Sequence, residues 1–168
     1  MKKYIDLYFT TATVLNWYPL LADPSNKEII IDAFRFCVLN KRARIWAFVI
    51  MDTHIHLVWQ ILSPYNLSSV RQNMLKYISQ KIKNSLVSNG DDDTLKHFVV
   101  NKSDRYIQIW KRNPLSIEII SEHVLQQKLN YIHTNLARKG MDDVTYKYSS
   151  ASFYVTGVCN WDFLRLFE

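Results

Sequence analysis

Cysteine, glycine and proline are all scarce in this chain of 168 residues, with 2, 3 and 4 copies respectively. The two cysteines, Cys37 and Cys159, form no Cys-x-x-Cys pair. That excludes a disulfide scaffold and a thiolate zinc site, and it fits a reducing compartment. So few glycines and prolines exclude a loop-dominated or low-complexity chain. No apolar run approaches the ~18 residues that a membrane helix needs. The opening Met1-Lys2-Lys3-Tyr4-Ile5-Asp6 leads into no signal-type apolar core. No internal repeat stands out. One soluble, cytoplasmic domain over residues 1–168 is the expectation. Acidic residues are in deficit too, 15 against 21 Lys and Arg, for a net charge of +6 and a pI near 9.3. The excess favours an anionic partner, nucleic acid first.

What is present divides into strands and helices by period. Residues 7–14 are rich in β-branched and aromatic side chains and read as a strand. Ser25-Asn26-Lys27-Glu28 matches a capping box opening a helix to about Asn40. Residues 45–51 are a continuous apolar run, the mark of a strand covered on both faces. Asp52-Thr53 makes a tight turn into a second strand that ends near Leu62, where Ser63-Pro64 breaks it. Leu67, Val70, Met74, Ile78, Ile82 and Leu86 recur at helical spacing, so a second helix spans about 67–87. Its polar side carries Arg71, Lys76, Lys81 and Lys83, a candidate phosphate-contacting set. Residues 89–93 read as an exposed loop and 106–110 as a fourth strand. A third helix spans about 119–139, with Leu125, Leu129, Ile132 and Leu136 as its buried stripe and Gly140 as its stop. The order β-α-β-β-α-β plus a further helix predicts an α+β fold with a ferredoxin-like antiparallel sheet. Two helices would cover one face, and the third helix would approach the other.

The chemistry is concentrated on that second face. His54-Ile55-His56 lies in a strand, whose side chains alternate, so both imidazoles point the same way, about 7 Å apart at roughly 3.3 Å per residue. Two imidazoles so placed can converge on one cation. Ile55, Leu57, Trp59 and Ile61 form the opposite, core face, and Trp46 joins Trp59 as a core residue. On the third helix, Tyr131 and Asn135 are one turn apart and offset from the buried stripe. The amide oxygen of Asn135 can ligate a hard cation, and the phenol of Tyr131 can attack phosphorus. His133 has two readings, a supporting hydrogen-bond donor or a surface residue.

These motifs carry a family resemblance. His54-Ile55-His56 after an apolar strand resembles the histidine–hydrophobic–histidine signature of the HUH single-strand DNA endonucleases. Tyr131-Ile132-His133-Thr134-Asn135, then Tyr148-Ser149-Ser150-Ala151 and Tyr154, resemble the REP-associated tyrosine transposase group of the single-tyrosine HUH transposases. Tyr106-Ile107-Gln108-Ile109-Trp110 resembles the strand before the tyrosine helix in that group. The chain departs from the pattern at Asp52-Thr53, where the group has Pro-Asn, and at Leu136, where it has Pro. The stretch between His56 and Tyr131 is also long for the group.

The resemblance implies a DNA nicking and joining enzyme. Tyr131 would form a 5′-phosphotyrosine with single-stranded DNA, and His54, His56 and Asn135 would hold Mg²⁺ or Mn²⁺. The implied substrate is a DNA hairpin with a single-stranded flank, handled by a monomer or a homodimer without a membrane. Two other classes stay open at this point. A non-catalytic nucleic-acid-binding module on the same fold needs neither the paired histidines nor Tyr131. A metal-dependent phosphoesterase would need the metal but not the tyrosine.

Overall fold

The computed structural model describes residues 4–142 and 144–167, so Met1 to Lys3 of the basic opening lie outside the described residues. In chain order the elements are β1 (Leu7–Thr13), α1 (Pro24–Leu39), β2 (Ala43–Ile50), β3 (His54–Ile61) and α2 (Leu67–Ser88). Then come α3 (Asp92–Leu95), β4 (Val99–Lys102), β5 (Arg105–Ile107), β6 (Leu115–Glu118), α4 (Glu122–Thr134) and α5 (Ala151–Thr156). Strands β2, β3, β1 and β6 lie side by side in that order, every pair antiparallel. Helix, sheet and crossover thus follow the expected ferredoxin-like pattern, and the fold is α+β.

Alternation along the strands sorts two cores. Ile55, Leu57, Trp59 and Ile61 face α1 and α2, together with Ile30, Phe34, Ile78 and Ile82. Val58 of β3, with Leu7 and Phe9 of β1, faces Leu125, Leu129 and Ile132 of α4 and Leu136 just beyond its end. Each large side chain buried this way contributes on the order of 1.5–3 kcal/mol. The third helix therefore covers the histidine face, as its stripe requires.

Four local expectations are corrected. The fourth strand of the sheet is β6, paired to β1, while β5 pairs only with β4 in a separate hairpin. Tyr106 is exposed, so the 106–110 run lacks the covered faces of a sheet interior, and its buried end, Ile109 and Trp110, plugs the core below β1 instead. Helix α4 starts at Glu122, because β6 runs to Glu118 and Ser121 caps the helix by accepting from the Val124 N–H at 3.4 Å. It ends at Thr134, before a separate 3₁₀ turn over Ala137–Lys139. Asp23, with Pro24 behind it, caps α1 in place of Ser25, its carboxylate accepting from the Ser25 N–H at 2.8 Å. The acidic loop holds the short α3, capped by Asp91. Helix α3 and the β4–β5 hairpin occupy much of the long stretch between His56 and Tyr131.

The outer strand β2 is closed by the C-terminal segment, which removes an unpaired edge. The Ile50 N–H donates to the Tyr148 carbonyl at 2.9 Å, and the Ser150 N–H donates to the Phe48 carbonyl at 3.0 Å. The Phe48 N–H donates to Ser150 Oγ at 3.0 Å, and further along the Arg165 N–H reaches the Ile45 carbonyl at 3.2 Å. No helix among the described residues is long and apolar enough to cross a membrane.

Candidate active site

The two histidines begin β3, immediately after the Asp52-Thr53 turn, and that turn is held from three sides. The Leu21 N–H donates to the Asp52 carbonyl and the Val14 N–H to the Thr53 carbonyl, both at 2.9 Å. Lys27, buried on α1, donates from Nζ to Asp52 Oδ1 at 2.8 Å. Burial opposes the Lys27 ammonium, but its hydrogen bonds to Asp52 and Tyr146 outweigh that and raise its pKa above the ordinary lysine value. The departure from the resembled motif at Asp52 thus has a local partner in Lys27.

His54 and His56 share one face, with ring centroids 4.7 Å apart. Each ring is oriented through Nδ1, His54 by Thr53 Oγ1 at 2.9 Å and His56 by Thr11 Oγ1 at 2.7 Å. Both rings are buried, at 7% and 4% exposure. Burial pushes His54 down to about 4, with Lys139 adding to the effect. Burial, then His54, Lys128 and Lys139, push His56 down to about 3. Both imidazoles are therefore neutral at pH 7, the form that ligates metals.

Helix α4 supplies the rest. Tyr131 lies against His56 with ring centroids 5.1 Å apart and against Phe9 at 5.8 Å, and it stays 38% exposed. Asn135 caps the C-terminal end of α4 and is 9% exposed. These side chains line one cleft of about 480 Å³ together with Phe9, Thr11, Trp17, Lys128 and Lys139. The Arg138 guanidinium sits 5.7 Å from the centre of the Tyr131 ring. The structure brings His54, His56, Tyr131 and Asn135 together.

Two buried polar atoms at this point have no partner among the described residues: His56 Nε2 and Asn135 Nδ2. The amide nitrogen and oxygen exchange by a half-turn of the side chain, so Asn135 can present its oxygen to the same space. An unpartnered imidazole nitrogen and an amide that can turn its oxygen to the same space fit a cation ligand set. Among the described residues no cluster of three His, Cys, Asp or Glu exists, so the set has no carboxylate. Its ligands are neutral, and with Lys128 and Lys139 beside them the cleft is suited to an anion such as a phosphodiester.

The cationic residues of α2 do not act as one group. Lys76 and Lys83 line a groove of about 400 Å³ with Tyr106 and Arg105 of the β4–β5 hairpin, Arg105 being paired with Asp104. Lys81 lies over the Tyr77 ring at 5.6 Å. Arg71 is spent within the fold, donating from Nη1 to Ser116 Oγ at 2.8 Å and the Pro114 carbonyl at 3.3 Å. Sequence did not single out the rest of the cleft lining, among it Thr11, Trp17, Lys128 and Lys139. Trp17 is 59% exposed and meets the edge of His54 at 5.7 Å. It sits in a turn where Asn16 and Trp17 both have positive φ, 56° and 55°, a geometry that no sequence pattern announces. His133 is turned away from the cleft, its Nε2 hydrogen-bonded to Ser150 Oγ at 2.8 Å.

No family model and no curated protein matches the chain. Solved structures do match. The chain has the fold of a REP-associated tyrosine transposase. That structure, of the transposase bound to a REP hairpin, matches with a TM-score of 0.66 at 16% sequence identity, over 96% of this chain and 88% of that one. A second structure, of a protein described as a transposase of Deinococcus radiodurans R1, matches with a TM-score of 0.50 at 13% identity, over 75% of this chain and 87% of that one. Identities this low speak for the fold alone, and the chemistry rests on the cleft.

Proposed function

We propose that this chain is a transposase-like enzyme that nicks and rejoins single-stranded DNA through a covalent bond to Tyr131. The observation that carries the reading is the half-exposed Tyr131 ring packed on His56 in a cleft that also holds His54, Asn135 and two lysines. The Tyr131 phenol oxygen attacks the scissile phosphorus, the bond from phosphorus to the 3′ oxygen breaks, and that oxygen leaves with a proton as a 3′-hydroxyl. The phenol proton is lost to solvent, and the 5′-phosphate stays on Tyr131. The new ester retains the energy of the old one, so a DNA hydroxyl can reverse the step without ATP. Lys128 and Lys139 offset phosphate charge, and the exposed face of Trp17 can stack on a neighbouring base. His54, His56 and Asn135 would hold Mg²⁺ or Mn²⁺, which supplies Lewis-acid polarisation of the phosphate.

The substrate proposed is a DNA hairpin with a single-stranded flank, since the matched transposase is bound to a REP hairpin. Lys76 and Lys83 beside the exposed Tyr106 are the proposed contacts to its backbone. The test incubates labelled hairpins, drawn from palindromic repeats near the gene, with the protein and either Mn²⁺, Mg²⁺ or a chelator. A denaturing gel should show a metal-dependent nick and an equimolar band of DNA attached to protein. Nicking without the attached band would make the chain a phosphoesterase. Binding to the cognate repeat without any nick would make it a binding module.

A further inference from the structure

A second cleft, of about 660 Å³, opens on the same sheet face as the histidines, at the other end of β3. Its floor is set by register: Gln60 faces the same way as His54 and His56, and it pairs with Leu7 on one side and Arg44 on the other. Its walls are aromatic, from Tyr4, Trp46, Phe153 and Phe167. Tyr4 and Phe167 are stacked 5.8 Å apart at 11°, and Trp46 meets Phe167 edge-on at 5.0 Å. Trp46 is half-buried here, and its indole Nε1 is a buried donor with no acceptor among the described residues. Arg44 and Arg165 stand exposed at the rim, with no ion pair to any described residue.

Flat aromatic walls and two guanidinium groups without an ion-pair partner among the described residues describe a site for an anion that carries an aromatic ring. The cleft is within the size range that takes a small ligand such as a nucleotide. Its place relative to the Tyr131 cleft is fixed twice. Four residues of β3 separate Gln60 from His56, roughly 13 Å at 3.3 Å each. Tyr4 is hydrogen-bonded to Glu122, in the first turn of α4, and Tyr131 lies nine residues further along, again roughly 13 Å at 1.5 Å each. That is the span of about four stacked nucleotides at roughly 3.4 Å each.

We infer that this cleft binds an unpaired nucleotide of the strand that Tyr131 cleaves, its base among Trp46, Phe153 and Phe167 and its phosphate at Arg44 and Arg165. This rests on the strand-transfer reading above and adds a remote subsite to it. The site holds the flank in register, so that a chosen phosphate reaches Tyr131. Stacking accepts any base.

The probe is a fluorescein-labelled DNA hairpin with an oligothymidine flank that contains 4-thiothymidine, beside the same hairpin without a flank. Anisotropy titrations compare the wild-type chain with Arg44→Ala/Arg165→Ala, both of which are surface changes. In the wild type the flank should tighten binding about 10- to 100-fold. In the variant that gain should collapse, while the flankless hairpin binds both proteins equally. Irradiation should crosslink the flank to peptides containing Trp46 or Phe153. An equal flank gain in both proteins, or crosslinks confined to the His54 cleft, would overturn the subsite. If the DNA–protein adduct forms while the flank gain is untouched, the subsite fails and the strand-transfer reading stands. If no adduct forms with any hairpin, that reading fails first.

Discussion

Two imidazoles buried without a countercharge set the pH behaviour of the cleft. Their pKa values in the folded chain, about 4 for His54 and about 3 for His56, lie below the ordinary 6.5. The folded state then binds fewer protons than the unfolded one across that interval. The stabilising effect is complete above pH 6.5 and is lost as pH falls through the folded values. The melting temperature of the metal-free protein should therefore decline from pH 6.5 towards pH 4. In His54→Asn/His56→Asn the decline over that window should shrink; an unchanged slope would mean the rings are hydrated and titrate normally. This pair was legible in sequence because a strand's period of two leaves no choice about which way the two side chains face. Tyr131 and Asn135 were legible for the corresponding helical reason. Trp17 was not, because the turn that aims it depends on two left-handed residues that are not glycine.

At the scale of elements, α4 is aimed by what holds its far side. The motif residues His133, Ser150 and Tyr154 do not line the cleft; they join α4 and the C-terminal segment to β2. Ser150 Oγ takes the Phe48 N–H and meets His133, and the Tyr154 hydroxyl donates to the Trp46 carbonyl at 2.7 Å. Burial pushes the Tyr154 phenol up to about 12, so it stays protonated. Ser150→Ala removes the side-chain acceptor of the buried Phe48 N–H and one hydrogen-bond partner of the His133 ring. It should cost about 1–3 kcal/mol of stability in urea unfolding, and it should slow adduct formation more than it weakens hairpin binding. A variant of full stability would show that the joint is not structural. Strand β1 was readable from its β-branched and aromatic content, β2 from its continuous apolar run, and β3 and α2 from their apolar periods. Strand β6 was not, because Leu115-Ser116-Ile117-Glu118 is too short to show a period, and its Ser116 is chosen for Thr10 and Arg71 rather than for burial. The end of α4 was misplaced because Leu136 continues the apolar stripe beyond the helix itself.

At the scale of the molecule, the net charge of +6 is distributed unequally, and DNA binding should report where. Lys76→Ala and Lys83→Ala, in the groove beside Tyr106, should each reduce the slope of log affinity against log salt by about 1 for a hairpin duplex. Arg71→Ala should leave that slope unchanged and lower the melting temperature instead, because its guanidinium ties α2 to β6. A slope change in Arg71→Ala of the same size as in the lysine variants would contradict this division. The fold class, with two helices on one sheet face and one helix on the other, followed from the element order. The β4–β5 hairpin and the groove it makes with α2 did not, since nothing local marks where an insertion docks. The most direct test of the whole account is mass spectrometry of the protein after reaction with a cognate hairpin and Mn²⁺. A tryptic peptide bearing a 5′-nucleotide phosphate on Tyr131 should appear, and it should be absent from Tyr131→Phe. A phosphate on any other side chain, or cleaved DNA with no modified peptide, would contradict it.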